Sequence, residues 1–113
     1  MNVLERFWKK DDLIQKTFEI ESNLFDEIEY LSENVYDASI SKIINACVDY
    51  LIETENIKLY PKNENELNTK HSIILRKYSL DNLEKLKNKY GISIYKLINI
   101  AIKNVLDDYN QNK

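Results

Sequence analysis

The stretch Ser39-Ile40-Ser41-Lys42-Ile43-Ile44-Asn45-Ala46-Cys47-Val48 occurs twice. It returns 54 positions later as Ser93-Ile94-Tyr95-Lys96-Leu97-Ile98-Asn99-Ile100-Ala101-Ile102, with Ser, Ile, Lys, Ile and Asn identical. Such a repeat constrains the fold because both copies are expected to adopt the same local structure. The apolar spacing is shared too. Ile40, Ile43, Ile44, Cys47, Val48, Leu51 and Ile52 correspond to Ile94, Leu97, Ile98, Ala101, Ile102, Val105 and Leu106. Spacing of i, i+3, i+4, i+7, i+8, i+11, i+12 is a wide stripe along one side of an α-helix. A serine precedes each stripe and is a good N-cap. Two equivalent helices with equivalent apolar faces predict a structure with an internal two-fold.

The repeat extends toward the N-terminus. Residues 15–21, Gln-Lys-Thr-Phe-Glu-Ile-Glu, alternate with period two: Phe18 and Ile20 face one way, Gln15, Thr17, Glu19 and Glu21 the other. This predicts a strand with one buried face. Residues 70–76 match it at an offset of 55, with Ile73 and Leu75 inward and Lys70, Ser72, Ile74 and Arg76 outward. Each strand precedes a short amphipathic helix. Ser22 is expected to cap the first, which carries Leu24, Phe25, Ile28 and Leu31; the second starts at Ser79 and carries Leu80, Leu83 and Leu86. Gly91 ends the second as a left-handed cap. The repeated helices run to about Glu55 and Tyr109. The expected organisation is an N-terminal arm or helix over 1–14, a first unit over 15–55, a linker over 56–69, a second unit over 70–109 and a tail over 110–113. Val3, Leu4, Phe7 and Trp8 give the arm an apolar side to pack on the domain. The linker's fourteen residues reach roughly 45 Å when extended, enough to bring the two strands together as an antiparallel pair. Neither strand is stable without a partner.

A chain of 113 residues suffices for one compact domain. No apolar run approaches the ~18 residues of a membrane span. Residues 1–10 lack the uninterrupted apolar core of a signal peptide, so a soluble cytoplasmic protein is expected. A single cysteine, Cys47, excludes an internal disulfide and lies on the apolar stripe as a packing residue. The net charge of −3 hides an asymmetry. Residues 1–56 hold 5 basic and 13 acidic side chains, a net −8, whereas residues 57–113 hold 11 and 6, a net +5. The sequence contains no Cys/His cluster, glycine-rich phosphate loop or nucleophile–base pair, so neither enzymatic activity nor a metal or cofactor is expected. His71, at the start of its strand on the inward side, reads as an edge-of-core residue.

The order strand, helix, glycine turn, helix resembles the ribbon-helix-helix family of Arc, MetJ and CopG type. The run from Ser79 through Gly91 to Ile102 carries the likeness most fully. The first unit matches too, with Asp37-Ala38 where the family's turn commonly has glycine and an apolar residue. Together the matches cover about 80 of the 113 residues. Family members dimerise through one unit per chain; the resemblance implies that this chain carries both. The implied fold is mainly α with a two-stranded antiparallel β-ribbon, a ribbon-helix-helix pseudo-dimer formed by one chain. The implied function is sequence-specific binding of double-stranded DNA, as a transcriptional repressor or a plasmid or phage control factor. The ribbon enters the major groove, and alternate outward side chains read base edges. By position the readers are Gln15, Thr17, Glu19, Lys70, Ser72 and Ile74. The family anchors phosphates at the N-terminus of its second helix, which implies Ser39, Ser41 and Lys42 in the first unit and Ser93, Tyr95 and Lys96 in the second. Arg76 at the ribbon's end adds a further phosphate contact.

Each assignment has a plainer reading beside it. A capping serine and a phosphate-binding serine have the same sequence, and Lys42 and Lys96 also read as solvated lysines. The charge pattern is the main departure, because DNA affinity rests largely on neutralising phosphates. Between positions 70 and 96 there are 7 basic and 2 acidic residues, but Glu19 and Glu21 would face the groove. Three arrangements meet this. The protein binds an asymmetric site mainly through one half; or it self-associates on DNA with acidic units against neighbours; or it is a protein-interaction module (antitoxin, partition adaptor or anti-repressor) whose acidic first half is the binding surface. For DNA, the charges predict tighter holding by the Ser93 copy than by the Ser39 copy.

Overall fold

The structure is a computed structural model and describes residues 12–61 and 67–111. The expected packing of Val3, Leu4, Phe7 and Trp8 lies outside those residues. The order of elements is β1 (Leu13–Glu21), α1 (Ser22–Asn34), α2 (Ile40–Thr54), β2 (Asn68–Arg76), α3 (Lys77–Tyr90) and α4 (Ile94–Gln111). The chain is thus mainly helical, with a two-stranded antiparallel sheet of β1 and β2. One strand followed by two helices forms each half.

The strands begin two residues earlier than the alternation predicts, and each runs straight into its helix. Ser22 is therefore the first residue of α1 and not its N-cap, a position held by Glu21. Likewise α3 starts at Lys77 after Arg76, not at Ser79. Tertiary hydrogen bonds drive both extensions. The Ser22 N–H donates to Leu67 O at 2.8 Å and the Lys77 N–H to Asp12 O at 2.7 Å, so the chain before each strand secures the other half's first helix. The Ser22 hydroxyl also donates to Leu67 O, at 2.8 Å. Ser79, displaced from its expected capping role, is fully buried and gives its hydroxyl to Asp49 Oδ1 at 2.7 Å.

The inner side of the ribbon brings Ile14, Phe18, Ile20, Ile73 and Leu75 onto the helices. Lys16 shares this side and is exposed, as a long aliphatic stem with a charged head permits. Below lie the two apolar stripes. Ile44, Cys47, Val48 and Leu51 of α2 meet Leu97, Ile98, Ala101, Ile102 and Leu106 of α4, all buried. Ile28 and Leu83, which the repeat equates, are both completely buried. Burying such a side chain contributes about 1.5–3 kcal/mol. Burial pushes the Cys47 thiol up to about 12, as befits a packing residue.

The first-half turn lacks glycine and closes differently from the second. The Tyr36 N–H reaches back to Leu31 O at 2.8 Å, and the Ser32 hydroxyl donates to Ala38 O at 2.7 Å. In the second half Gly91 takes φ +67°, and a Cβ there would meet nothing within 4 Å. Gly91→Ala is therefore expected to destabilise only through backbone strain, by about 1 kcal/mol. A urea titration checks this: the midpoint falls while the slope stays unchanged.

Ile57 and Tyr60 pack on the core, and the Asn104 side chain donates to Asn56 O at 2.8 Å. Leu59, Tyr60 and Ile100 line one cavity. Ile100 is buried, whereas Ala46, its equivalent in the repeat, is exposed.

Candidate nucleic-acid interface

The ribbon's outer face is built by strand alternation. Thr17 stands opposite Ser72, Gln15 opposite Ile74 and Glu19 opposite Lys70. Thr17 and Ser72 are the residues that the 55-residue offset equates, so the pairing is centred on equivalent positions. All six side chains expected to read bases are exposed, Ile74 at 41%. They are not independent: Gln15 Nε2 donates to Ser72 Oγ at 2.7 Å. Glu19 and Lys70 bring opposite charges face to face across the ribbon.

A two-stranded ribbon has two open edges, and their backbone groups need partners. The asparagine of the repeat supplies one on each side. Asn45 on α2 donates to Ile74 O at 2.7 Å and accepts from the Arg76 N–H at 3.2 Å. Asn99 on α4 donates to Glu19 O at 3.0 Å and accepts from the Glu21 N–H at 2.9 Å. Each amide also donates to its own helix, Asn45 to Ser41 O at 2.8 Å and Asn99 to Tyr95 O at 2.7 Å. Glu19 and Glu21 are the repeat equivalents of Ile74 and Arg76. Each half thus clamps the opposite half's strand through the same two bonds and braces the amide with a third to its own helix. The sequence signal for this role is the identity of Asn at positions 45 and 99 of the repeat.

These clamps set the two helix N-termini beside the ribbon. At the first, Ser39 caps α2 and accepts from the Lys42 N–H at 3.2 Å. Ser41 Oγ accepts from the Ile74 N–H at 3.1 Å, so this expected phosphate ligand is already engaged with the ribbon. Lys42 is exposed. At the second, Ser93 does not cap as expected: its hydroxyl is buried with no hydrogen-bond partner among the described residues. Tyr95 and Lys96 are exposed.

Because each N-terminus lies on the other half's strand, the charge environments cross over. The 39–42 end borders Ile74 through Ser41, while Arg76 meets α2 further on, at Asn45 and Asp49. The 93–96 end borders Glu19 and Glu21; Glu21, expected to face the groove, is buried and lines a cavity of about 270 Å³ with Lys96, Tyr95 and Tyr60. Arg76, expected at a phosphate, instead forms an ion pair with Asp49, leaving its side chain 41% exposed. Asp49 therefore holds two groups, Arg76 and the Ser79 hydroxyl. The equivalent place in the other half is built differently. The Tyr60 hydroxyl donates to Glu21, and Lys103 Nζ lies 5.3 Å from the centre of the Tyr60 ring. Burial, and then the Glu21 carboxylate, hold the Tyr60 phenol well above its usual range. At the far end of the helices Lys89 Nζ meets Glu55 Oε1 at 2.7 Å, and the Tyr90 hydroxyl donates to the same oxygen at 3.0 Å. The bond from Lys89, reinforced by Tyr90, lowers the Glu55 carboxyl and raises the Lys89 ammonium from their ordinary values.

His71 stacks on Phe25 with ring centres 3.5 Å apart, and its Nε2 lies 2.6 Å from Thr69 Oγ1. Among the described residues no group of three or more His, Cys, Asp and Glu is placed to hold a metal ion. No helix among them is long and apolar enough to cross a membrane. Comparison with models of known protein families, with curated proteins and with solved structures found no match to this chain.

Proposed function

We propose that this chain is a sequence-specific DNA-binding regulator of the ribbon-helix-helix kind, with both halves of the pseudo-dimer on one chain. The supporting observation is an exposed antiparallel ribbon centred on equivalent residues, with a helix N-terminus fixed at each edge by the same asparagine. A two-stranded ribbon fits the major groove. There Lys70 donates to guanine, Gln15 pairs with adenine, Glu19 accepts from cytosine, and Ile74 touches thymine methyls. The helix N-termini attract phosphates through their dipoles and free N–H groups. The surroundings of the two anchors differ: the 39–42 end offers Lys42 near a ribbon edge whose Arg76 is held by Asp49, and the 93–96 end offers Lys96 beside Glu21, which Tyr60 engages. The two halves of the operator are accordingly unequal.

The test is selection from a random duplex pool at about 50 mM salt, followed by an anisotropy titration against salt on the enriched sequence. The expected result is one enriched sequence whose affinity falls steeply as salt rises. Failure to bind any duplex at low salt overturns the reading.

A second reading is favoured by the first half's surface. Asp26, Glu27, Glu29 and Glu33 are exposed on α1. Tyr36 and Tyr50 border an apolar groove of about 490 Å³ with Ile43, Ala46 and Val105. On that reading the acidic half takes a protein partner and no duplex is selected.

A further inference from the structure

The opposite charges of the two halves are arranged at their junction. Two of the ion pairs join the halves, Arg76 to Asp49 and Lys89 to Glu55. In both the acid belongs to the first half and the base to the second. The repeat maps Arg76 onto Glu21 and Asp49 onto Lys103. The counterpart of the Arg76–Asp49 pair is therefore Glu21 and Lys103, with both signs reversed. In the structure Tyr60 bridges these two, its hydroxyl on Glu21 and its ring beneath the Lys103 ammonium.

The alternatives make the consequence clear. The shared Asn clamps and apolar stripes are the same in both halves, so they do not distinguish a first half from a second. Two first halves paired through these surfaces would set Glu21 against Asp49. Two second halves would set Arg76 against Lys103. Only a first half with a second half gives opposite charges at both junctions. Like charges held together disfavour the wrong partner, which is how paired elements with similar apolar faces are kept apart.

We infer that the sign-swapped repeat is a pairing code: each half of this chain accepts the opposite half as its partner and rejects a like half from a second copy. This role uses Glu21, Asp49 and Glu55 of the acidic half and Arg76, Lys89 and Lys103 of the basic half. The pairing is read without DNA, although Arg76 is also the residue expected at a phosphate.

The test uses two full-length variants, Asp49→Arg and Arg76→Asp. Each puts like charges at its own Arg76–Asp49 junction. When the two chains are unfolded and refolded together, the first half of one and the second half of the other restore opposite charges in both pairings. The expected product is a 1:1 exchanged pair at twice the 13.5 kDa chain mass. At about 100 µM, near enough to the effective concentration set by the linker to compete, it should exceed the two-chain fraction of either variant alone by about tenfold. Light scattering on a sizing column reads the mass, and unequal labelling of the two chains reads the 1:1 composition. The single-chain double variant Asp49→Arg/Arg76→Asp is expected to return to a 13.5 kDa species with a thermal midpoint above both single variants, short of the parent's because the buried Ser79 hydroxyl loses its Asp49 acceptor. A mixture that behaves as the sum of its components overturns the inference. So does a double variant no more stable than the single ones, since shape and not charge would then be at fault.

Discussion

Asn99→Ala is expected to lower the unfolding free energy by about 3 kcal/mol and the thermal midpoint by about 15 °C. The side chain is 6% exposed and makes three hydrogen bonds, two of them to the open edge of β1. Alanine removes the acceptor for the Glu21 N–H and the donor for Glu19 O together. Leaving such groups unpaired costs about 1–3 kcal/mol each, more than the net gain of an ordinary hydrogen bond. The edge also loses its link to α4, and with it the fixed position of the 93–96 helix end. Asn45→Ala removes the equivalent bonds from the β2 edge, but Asn45 is only half-buried, so water replaces part of what is lost. About half the effect is expected there. Calorimetry on the parent and the two variants checks both the size and the order. Equal losses would mean that the clamps do not depend on burial.

Lys70→Glu is expected to weaken binding to the selected duplex by about 100-fold at low salt, and to flatten the salt dependence. The lysine is exposed on the ribbon's outer face, so the variant leaves the core untouched. It removes a donor suited to guanine and adds a second negative charge opposite Glu19 in a face that must approach DNA. Thermal unfolding should change little. Ser72→Ala provides a graded comparison. It releases the Gln15 amide from its partner on the face and removes one hydroxyl, so a loss of only a few-fold is expected. Both variants are read by anisotropy against the parent. If Lys70→Glu binds as tightly as the parent, the ribbon does not read DNA.

Much of the fold is legible in the sequence because its signals are local. The period-two run around Phe18 and Ile20 marks a strand without reference to anything distant. The period-3.6 stripes through Ile44 and Ile98 mark helices that bury the same face, and Gly91 marks a helix end because a positive φ suits glycine. The exposed face of the ribbon follows from the same alternation, which is why Gln15, Thr17, Glu19, Lys70, Ser72 and Ile74 emerge together on one surface. The capping serines were a less secure guide. Ser39 caps, but Ser22 and Ser79 lie inside their helices and the Ser93 hydroxyl is buried unpaired. A serine's local preference yields when hydrogen bonds to carbonyls such as those of Leu67 and Asp12 extend the chain's regular structure past it.

The sequence by itself determined that there are two units, what elements each contains and which side of each element is apolar. These properties depend on neighbours within a few turns. Only the tertiary structure decided which unit each polar side chain serves. Asn45 reaches residues 29 and 31 positions away, Asn99 residues 78 and 80 away, and Arg76 finds Asp49 across 27. No periodicity encodes a partner at such separations, because the choice is made when two apolar faces close and bring distant edges together. The uneven charges that looked unfavourable along the chain are, at the junction, opposite charges facing one another. Arg76 of the basic half closes on Asp49 of the acidic half, and Glu21 of the acidic half lies beside Lys96 of the basic one.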